Sequence, residues 1–268
     1  MHLIKGHAYG NDFLFARRGE MGAVDLPAAA RRLCDRHRGA GGDGLILYDL
    51  TPDGATMRLI NADGSRAELS GNGLRALAAI VVRHRGNASQ VVPGAEVLIT
   101  TDAGPRSLTL VERTDPRFTF RAGMGAPLDL RRLTLSAAGE DVPLSAFSIG
   151  NPQCVILGAL PDDDRFARLG RALERHAAFP EGTNVEFAEI DGPGRVRIRI
   201  WERGVGPTES SGTGACAGAI AAIAHAGASR VLDVVAPGGA QRVEWTDDGL
   251  FLTGWAELLW EGTWLADV

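Results

Sequence analysis

The sequence predicts an α+β fold of two pseudo-symmetric halves, each a mostly antiparallel sheet wrapped around a central buried helix, with an active-site cleft between them. Three observations lead to this prediction. Many short segments carry β-type patterns, two Ala-rich segments are apolar nearly all round, and the same short motif precedes both of them. A helix with so little polar face must be covered on most of its sides, so both Ala-rich helices are expected inside sheets.

The motif before the two buried helices is an internal repeat. It reads Glu68-Leu69-Ser70-Gly71-Asn72-Gly73 before the first helix and Glu209-Ser210-Ser211-Gly212-Thr213-Gly214 before the second. Ser70 and Ser211 are 141 residues apart, and a strand-like segment precedes each copy. The repeat indicates a duplication. We therefore expect an N-terminal half at 1–117 and a C-terminal half at 118–268, with the last strand able to return to the N-terminal half.

Local signals predict the individual elements. A helix is expected at 25–38, because Asp25 can cap it, Pro27 lies in its first turn and Gly39 follows it. The buried helices are expected at 74–83 and 215–226, and an amphipathic helix at 163–179. Strands are expected from residue 45 and at 55–61, 95–101, 106–112, 117–121, 153–157, 184–190, 195–201, 231–235, 241–245 and 250–259.

Composition narrows the classes of function. The chain has 268 residues, with 28 Lys and Arg against 33 Asp and Glu, which gives a net charge of −5. This balance supplies no basic face for nucleic acid or an anionic membrane. The first residues show no secretory signal and the longest apolar run, 215–224, is too short to span a membrane, so a cytoplasmic protein is expected. Cys34, Cys154 and Cys216 form no CxxC pair, so we expect packing thiols and no metal site.

The two Gly-rich turns have two interpretations. Each Ser can simply cap its helix, which is the commoner role of one such motif. A Gly-rich turn that enters a helix also presents backbone N–H groups at the positive end of the helix dipole, where an anion can bind. Because two symmetric copies occur, we favour a ligand site that also uses the cap geometry, with one carboxylate between Ser70 and Ser211.

Nine short segments along the chain carry a resemblance to a known family. They are 10–13 (GNDF), 36–39 (RHRG) with Asp43-Gly44, 61–65 (NADGS), 71–75 (GNGLR), 150–152 (GNP), 182–185 (GTNV), 201–204 (WERG), 212–216 (GTGAC) and 253–254 (TG). In this order and over nearly the whole length, the chain resembles the diaminopimelate epimerases, members of the cofactor-independent amino-acid epimerase superfamily.

The resemblance implies roles for particular residues. Members of the family bind a diamino-dicarboxylic acid, so the backbone of Gly71-Asn72 and of Gly212-Thr213 is expected to hold the reacting α-carboxylate. The distal end of the substrate would be held by a group of four asparagines and one arginine: Asn11, Asn61, Asn151, Asn184 and Arg203. Glu202 would lie beside Ser211. The resemblance further implies a homodimer that works without a cofactor or a metal.

The chain departs from the family pattern at the reacting groups. In the family a cysteine precedes each Gly-x-Gly turn, and the two thiols act on opposite faces of the α-carbon; here the residues are Ser70 and Ser211. Gln153 stands where the family has His. A thiol with a pKa of ~8.5 ionises readily at a helix N-terminus, whereas a hydroxyl needs a neighbouring base. Glu202 can be that base for Ser211, so a lopsided site is predicted, with Ser70 as proton donor or bystander.

Several functions therefore stay open. The leading hypothesis is an epimerase that interconverts L,L- and meso-diaminopimelate through Ser70, Ser211 and Glu202. A related isomerase or dehydratase with one-sided proton chemistry is the first alternative, and a binding homologue without turnover is the second. Deliberate replacement of Cys by Ser to trap a ligand is the last, and Gln153 argues against it because a trap would seldom need that further change.

Overall fold

The computed structural model describes residues 1–67, 70–86 and 92–266. Two compact units divide the chain: Met1–Ala122 together with Gly254–Val268, and Gly123–Thr253. Glu68 and Leu69, the first two residues of the N-terminal repeat motif, lie outside the described residues. Both units combine a sheet with helices, so the predicted α+β class is confirmed.

Strands outnumber helices along the described residues. From the N-terminus the elements are β1 (His2–Ala8), β2 (Asn11–Arg17), α1 (Leu26–Cys34), β3 (Gly44–Thr51), β4 (Gly54–Asn61), β5 (Arg66–Ala67), α2 (Gly71–Arg85), β6 (Glu96–Thr101), β7 (Gly104–Thr114) and β8 (Arg117–Gly123). The chain continues with β9 (Leu128–Ala137), β10 (Glu140–Ser148), β11 (Pro152–Leu157), α3 (Asp163–Glu174), β12 (Asn184–Ile190), β13 (Arg195–Glu202), β14 (Gly206–Thr208), α4 (Gly212–Ala226), β15 (Val231–Ala236), β16 (Gly239–Thr246) and β17 (Gly249–Thr263).

The strands of the first unit pair in a closed ring. Residues 257–263 of β17 pair with β1, and the pairing continues through β2, β3, β4, β6, β7 and β8. β8 pairs with β17 again, and Leu258 N–H donates to Pro116 O at 3.1 Å where the ring closes. The pairs β2–β3 and β4–β6 are parallel, and the others with a defined register are antiparallel.

The ring surrounds α2. Alternate strand residues such as Phe13, Phe15, Phe118 and Phe120 point inward and form one buried cluster with α2. α1 lies on the other face of the sheet, where Leu33 packs in a separate cluster with side chains of β2 and β3. Burial on nearly all sides explains why α2 has an apolar surface nearly all round.

The second unit repeats this arrangement. Pairing runs from β9 through β10, β11, β12, β13, β15 and β16 to residues 249–253 of β17. α4 packs against one face with Ile198, Ile200 and Val155, while α3 packs against the other with Phe187 and Trp201. Small residues let α4 approach the sheet closely; a side chain at Gly218 would place its Cβ 2.9 Å from Ile198 Cγ2.

Two predicted helices extend beyond the observed ones. The helix expected at 25–38 ends at Cys34, because the Asp35 carboxylate accepts the N–H groups of His37 and Arg38 at 2.8 Å and closes a turn. The helix expected at 163–179 ends at Glu174, after which backbone turns follow. The buried helices begin earlier than expected, at Gly71 and Gly212.

No helix among the described residues is long and apolar enough to cross a membrane.

Candidate active site

The two repeat motifs build the same local structure at the start of a helix. Ser70 precedes α2 in an extended conformation, and its hydroxyl accepts the N–H of Gly73 at 3.1 Å. Ser211 precedes α4 in the same conformation and accepts the N–H of Gly214 at 3.2 Å. Each serine thus satisfies one N–H of its helix and leaves those of the first two helical residues, at 71–72 and 212–213, without a partner inside the helix.

The candidate residues divide between the two units. The first unit contains Asn11, Asn61, Ser70, Gly71 and Asn72, and the second contains Asn151, Asn184, Glu202, Arg203, Ser211, Gly212 and Thr213. They lie at strand ends, in turns directly next to strands and at helix starts, where a rigid sheet can hold polar side chains in fixed positions.

In the first unit, Asn11 and Asn72 belong to one hydrogen-bond chain. Asn11 Nδ2 donates to Asp43 Oδ2 at 2.7 Å, and Asn11 Oδ1 accepts from Asn72 Nδ2 at 3.2 Å. Asn72 Oδ1 accepts in turn from the buried Arg75. These contacts occupy the Asn72 side chain inside the protein, so its backbone N–H is the group that it offers at the start of α2.

Charged residues next to Asn11 fix the start of β2. Arg36 donates to both carboxylate oxygens of Asp12 at 2.7 and 3.2 Å, and Lys5 Nζ lies 2.9 Å from Asp12 Oδ2. Burial raises the pKa of Asp12, but the hydrogen bonds and charges of Arg36 and Lys5 outweigh it and lower the pKa to about 2. Arg36 Nη2 also donates to Asp43 Oδ1 at 2.9 Å. Arg36 therefore fixes the carboxylate that accepts the hydrogen bond from Asn11.

Asn61, at the end of β4, lies opposite Gly44 of β3. Its Nδ2 donates to Ser65 Oγ at 2.9 Å, and its backbone N–H donates to Ser65 O at 2.8 Å. Asn61 therefore closes the turn between β4 and β5 and keeps its side-chain oxygen available.

In the second unit, Asn184 positions Arg203. Asn184 Oδ1 accepts the backbone N–H of Arg203 at 2.9 Å, and Arg203 Nη1 donates to Glu181 O at 2.9 Å. Arg203 is exposed, so its guanidinium can still offer donors to an anion in solution. Asn151 Oδ1 accepts from Gln153 Nε2 at 2.6 Å, and Gln153 lies opposite Asn184 in the parallel pair of β11 and β12.

Glu202 is a half-buried carboxyl group beside Ser211. Burial raises its pKa, while the hydroxyl groups of Ser211 and Thr208 face the carboxylate and lower the pKa in part. Thr208 Oγ1 makes no regular hydrogen bond within the described ranges, so its effect on the carboxylate is that of a nearby dipole. Ser211 Oγ also lies 3.3 Å from Thr213 Oγ1. The pair of Ser211 and Glu202 is a hydroxyl group next to a proton acceptor.

Sequence reasoning missed a second carboxyl group at this point. Glu186 on β12 is fully buried, and neither of its carboxyl oxygens has a hydrogen-bond partner among the described residues. Its Oε1 lies 3.2 Å from the position that a Cβ on Gly214 would take, and Ser211 Oγ lies 3.4 Å from that position. Burial, together with the charge of Glu202, holds the pKa of Glu186 well above its usual value.

A sequence signal for Glu186 was available in the duplication. In the first copy β3 reads Leu45-Ile46-Leu47, and in the second copy the equivalent strand, β12, reads Val185-Glu186-Phe187. A carboxyl group where the first copy has an apolar side chain breaks the repeat and marks a position with a polar role.

The three cysteines are buried and unpaired by disulfides. Burial raises the pKa of Cys34 to about 12 and that of Cys154 well above its ordinary value, with nearby carboxylates adding to both shifts. Neither of these thiols is ionised near neutral pH, which disfavours both as substitute bases.

With this geometry in view, the comparison with known proteins is decisive for the family. The family model described as diaminopimelate epimerase matches residues 3–127 and 145–259. The chain belongs to the diaminopimelate epimerase family. It is therefore an isomerase of the epimerase class that acts on a small molecule.

Curated diaminopimelate epimerases match over their whole length. The protein from Desulforudis audaxviator is 40% identical over 285 residues, with 99% of each chain covered. The protein from Desulfitobacterium hafniense is 36% identical over 286 residues, with 100% of this chain and 99% of that protein covered. A solved structure of a predicted epimerase from Pseudomonas aeruginosa matches with a TM-score of 0.71 at 17% identity and covers 99% of each chain, a likeness of fold.

Membership of the diaminopimelate epimerase family confirms the resemblance recognised from the short motifs.

Proposed function

We propose that this protein interconverts L,L- and meso-diaminopimelate by cofactor-independent transfer of the α-proton. The observation that carries the proposal is the start of α4, where Ser211 caps the helix, the N–H groups of residues 212–213 have no partner inside the helix, and the Ser211 hydroxyl group lowers the pKa of the neighbouring Glu202. Membership of the diaminopimelate epimerase family, with relatives that match over the whole length, supports the choice of substrate. The reaction would serve the formation of lysine and of peptidoglycan precursors.

In the second unit, Glu202 acts through Ser211. The Glu202 carboxylate accepts the hydroxyl proton of Ser211 while Ser211 Oγ accepts the α-proton of the substrate, so one proton enters the pair and the substrate becomes a carbanion. The backbone N–H groups of Gly212 and Thr213 hold the α-carboxylate at the positive end of the α4 dipole. These donors also stabilise the negative charge that spreads onto the carboxylate.

In the first unit, we assign Ser70 the role of proton donor or bystander. Its hydroxyl caps α2 as Ser211 caps α4, but the residue that corresponds to Glu202 in the duplication is Asn61, which cannot act as a carboxylate base. Gly71 and Asn72 supply the equivalent N–H groups at the start of α2. We assign the distal end of the substrate to Asn11, Asn61, Asn151, Asn184 and Arg203, since Arg203 offers a planar fork that fits a carboxylate.

A related reaction with one active face is the second candidate. The observation in its favour is that the two motifs have different side chains around them. The second unit has Glu202 and Glu186 where the first has Asn61 and Ile46. An isomerase or dehydratase of an amino or hydroxy acid needs only one such base. A binding homologue without turnover is the remaining alternative. A homodimer and a cytoplasmic location stay predictions.

Proton NMR in D2O with L,L-diaminopimelate separates these functions. Epimerisation predicts loss of the α-proton signal together with formation of the meso isomer. Exchange without the meso isomer would replace the proposal with the one-sided reaction, and no exchange at high protein concentration would reject both.

Two variants locate the base. Ser211→Ala is expected to slow exchange by about a hundredfold or more, the usual contribution of a general base. Ser210→Ala removes the neighbouring hydroxyl group and leaves the α4 cap in place, so near-wild-type exchange is expected. Equal loss in both variants would contradict the role of Ser211.

A further inference from the structure

The internal duplication identifies the residue of the first unit that is equivalent to Glu186. Register places Gly44 opposite Phe13 in the first unit and Asn184 opposite Gln153 in the second, so Ile46 and Glu186 occupy equivalent positions two residues further along. The contacts agree: a Cβ on Gly73 would meet Ile46 Cδ1 at 2.7 Å, and a Cβ on Gly214 would meet Glu186 Oε1 at 3.2 Å. The two side chains fill the same space beneath the first turn of a buried helix.

Packing does not require a carboxyl group at this position. Ile46 fills the equivalent space in the first unit with hydrocarbon alone. A fully buried carboxyl group without a hydrogen-bond partner costs free energy that an apolar side chain does not. The carboxyl group therefore needs a reason other than packing, and the nearest polar chemistry is that of Ser211 and Glu202.

The buried environment keeps Glu186 protonated. It is fully inaccessible, and no cation contacts either of its oxygens within the part of the chain that the structure describes. An isolated charge in such a place is strongly unfavourable, and the charge of Glu202 makes it more so. Burial raises the pKa of Glu186 further than that of the half-buried Glu202, so Glu202 is the carboxyl group that ionises first.

The other titratable and charged groups around Glu186 come from four places. β13 contributes Glu202, with the exposed Arg203 directly after it; β11 contributes Cys154, which packs on the opposite face of the sheet; and α4 contributes Cys216. Glu189 lies further along β12 itself and pairs with Arg197. Cys216 is two residues from Gly214, which turns it about 200° around the helix from the contact with Glu186.

We propose that Glu186 is a positioning residue for proton transfer at Ser211, a neutral carboxyl group whose ionisation shuts the reaction off. This inference rests on the proposed function. While Glu186 is protonated, the Glu202 carboxylate is the one negative charge of this pair of acids, and Ser211 can pass its proton to it and accept the α-proton. Once Glu186 loses its proton, a second negative charge stands beneath Ser211 and opposes both the negative charge on Oγ and the carbanion.

The test is the pH profile of α-proton exchange with L,L-diaminopimelate. We expect the wild-type rate to rise as Glu202 ionises and to fall by about tenfold per pH unit once Glu186 ionises, which is the slope of a single ionisation. Glu186→Gln keeps the shape and the neutral state, so the alkaline fall should disappear while the acid limb remains. Glu186→Ile, which copies Ile46, should also lack the alkaline fall.

Two control variants make the profile specific. Glu189→Gln removes a carboxylate from the same strand outside the site and should keep the wild-type profile. Cys154→Ala removes the thiol nearest in sequence to Gln153 and should keep the alkaline fall. An alkaline fall that persists in Glu186→Gln, or that disappears in Cys154→Ala, would overturn the proposal.

A measurement without substrate separates this inference from the proposed function. Infrared spectroscopy of the free protein near neutral pH should show the carbonyl stretch of a protonated carboxylic acid that is lost in Glu186→Gln and kept in Glu202→Gln. If the wild type exchanges no proton of diaminopimelate while this band is present, the proposed function fails and the protonated state of Glu186 stands. If the band does not change in Glu186→Gln, Glu186 is ionised and the inference is wrong.

Discussion

Two serines with the same local structure differ in the side chains around them. Ser70 and Ser211 each cap a helix with nearly equal hydrogen bonds of 3.1 and 3.2 Å. Among the described residues, the carboxyl group of Glu202 faces Ser211 and that of Glu186 lies beneath it, while Asn61 and Ile46 hold the equivalent positions in the first unit. The lopsided chemistry predicted from the sequence would therefore arise from the neighbouring side chains, because the two hydroxyl groups have the same local structure.

Cysteine at both serine positions should increase activity. A thiol with a pKa of ~8.5 ionises at a helix N-terminus far more readily than a hydroxyl group. We expect the double variant Ser70→Cys and Ser211→Cys to exchange the α-proton of diaminopimelate at least about tenfold faster than the wild type, by NMR in D2O. If the double variant folds and gains nothing, the substrate is a different acid.

Asp12 should contribute stability that acid removes. Because its pKa is lowered to about 2 in the folded protein, against about 3.9 in an unfolded chain, this stability is present above pH 4 and is lost as pH falls toward 2. The difference in free energy of unfolding between wild type and Asp12→Asn should shrink by about 2 kcal/mol over that range.

Urea unfolding at several pH values measures this difference, and Asp53→Asn, an exposed carboxyl group between β3 and β4, is the control. A difference that stays constant down to pH 2 would mean that Arg36 and Lys5 do not hold Asp12 as the structure indicates.

At the scale of elements, the sequence predicts best those helices whose composition is determined by burial alone. The buried helices were recognisable because α2 and α4 are covered by strands and need almost no polar surface. The strands β1, β2, β9 and β10 gave no usable pattern. Residues of β2 are buried on both faces and those of β9 are mostly exposed, so neither alternates clearly.

Helix ends were less predictable than helix cores. α1 and α3 stop before the expected residues because side-chain and backbone hydrogen bonds after Cys34 and Glu174 compete with the helix, and such local competition leaves little trace in hydrophobic spacing.

Glycine at position 54 should be essential for the pairing of β4 with β6. A Cβ there would lie 1.9 Å from Leu98 O, and the obstacle is backbone that cannot rotate away. Gly54→Ala should therefore lower the free energy of unfolding by about 3 kcal/mol or more, at the upper end of overpacking costs. Gly19→Ala, where no heavy atom lies within 4 Å, is the control in the same urea titration. A Gly54→Ala protein as stable as the control would contradict the close approach of the two strands.

At the scale of the whole molecule, the sequence indicates the duplication and the family, whereas the surroundings of Glu186 depend on the fold. Nine short motifs in family order were enough to indicate diaminopimelate epimerase, and the family model bears this out. Glu186 breaks the repeat in the sequence, but its burial and its place beneath the first turn of α4 are visible only in the folded chain.

The α-proton exchange experiment is the decisive test of epimerisation by this protein. Purified protein is incubated with L,L-diaminopimelate in D2O, and proton NMR follows the α-proton signal and the isomers, with Ser211→Ala as the matched inactive control. Epimerisation through Ser211 predicts loss of the α-proton signal with formation of the meso isomer by the wild type alone. Exchange at equal rates in wild type and Ser211→Ala, or no exchange by the wild type, would contradict it.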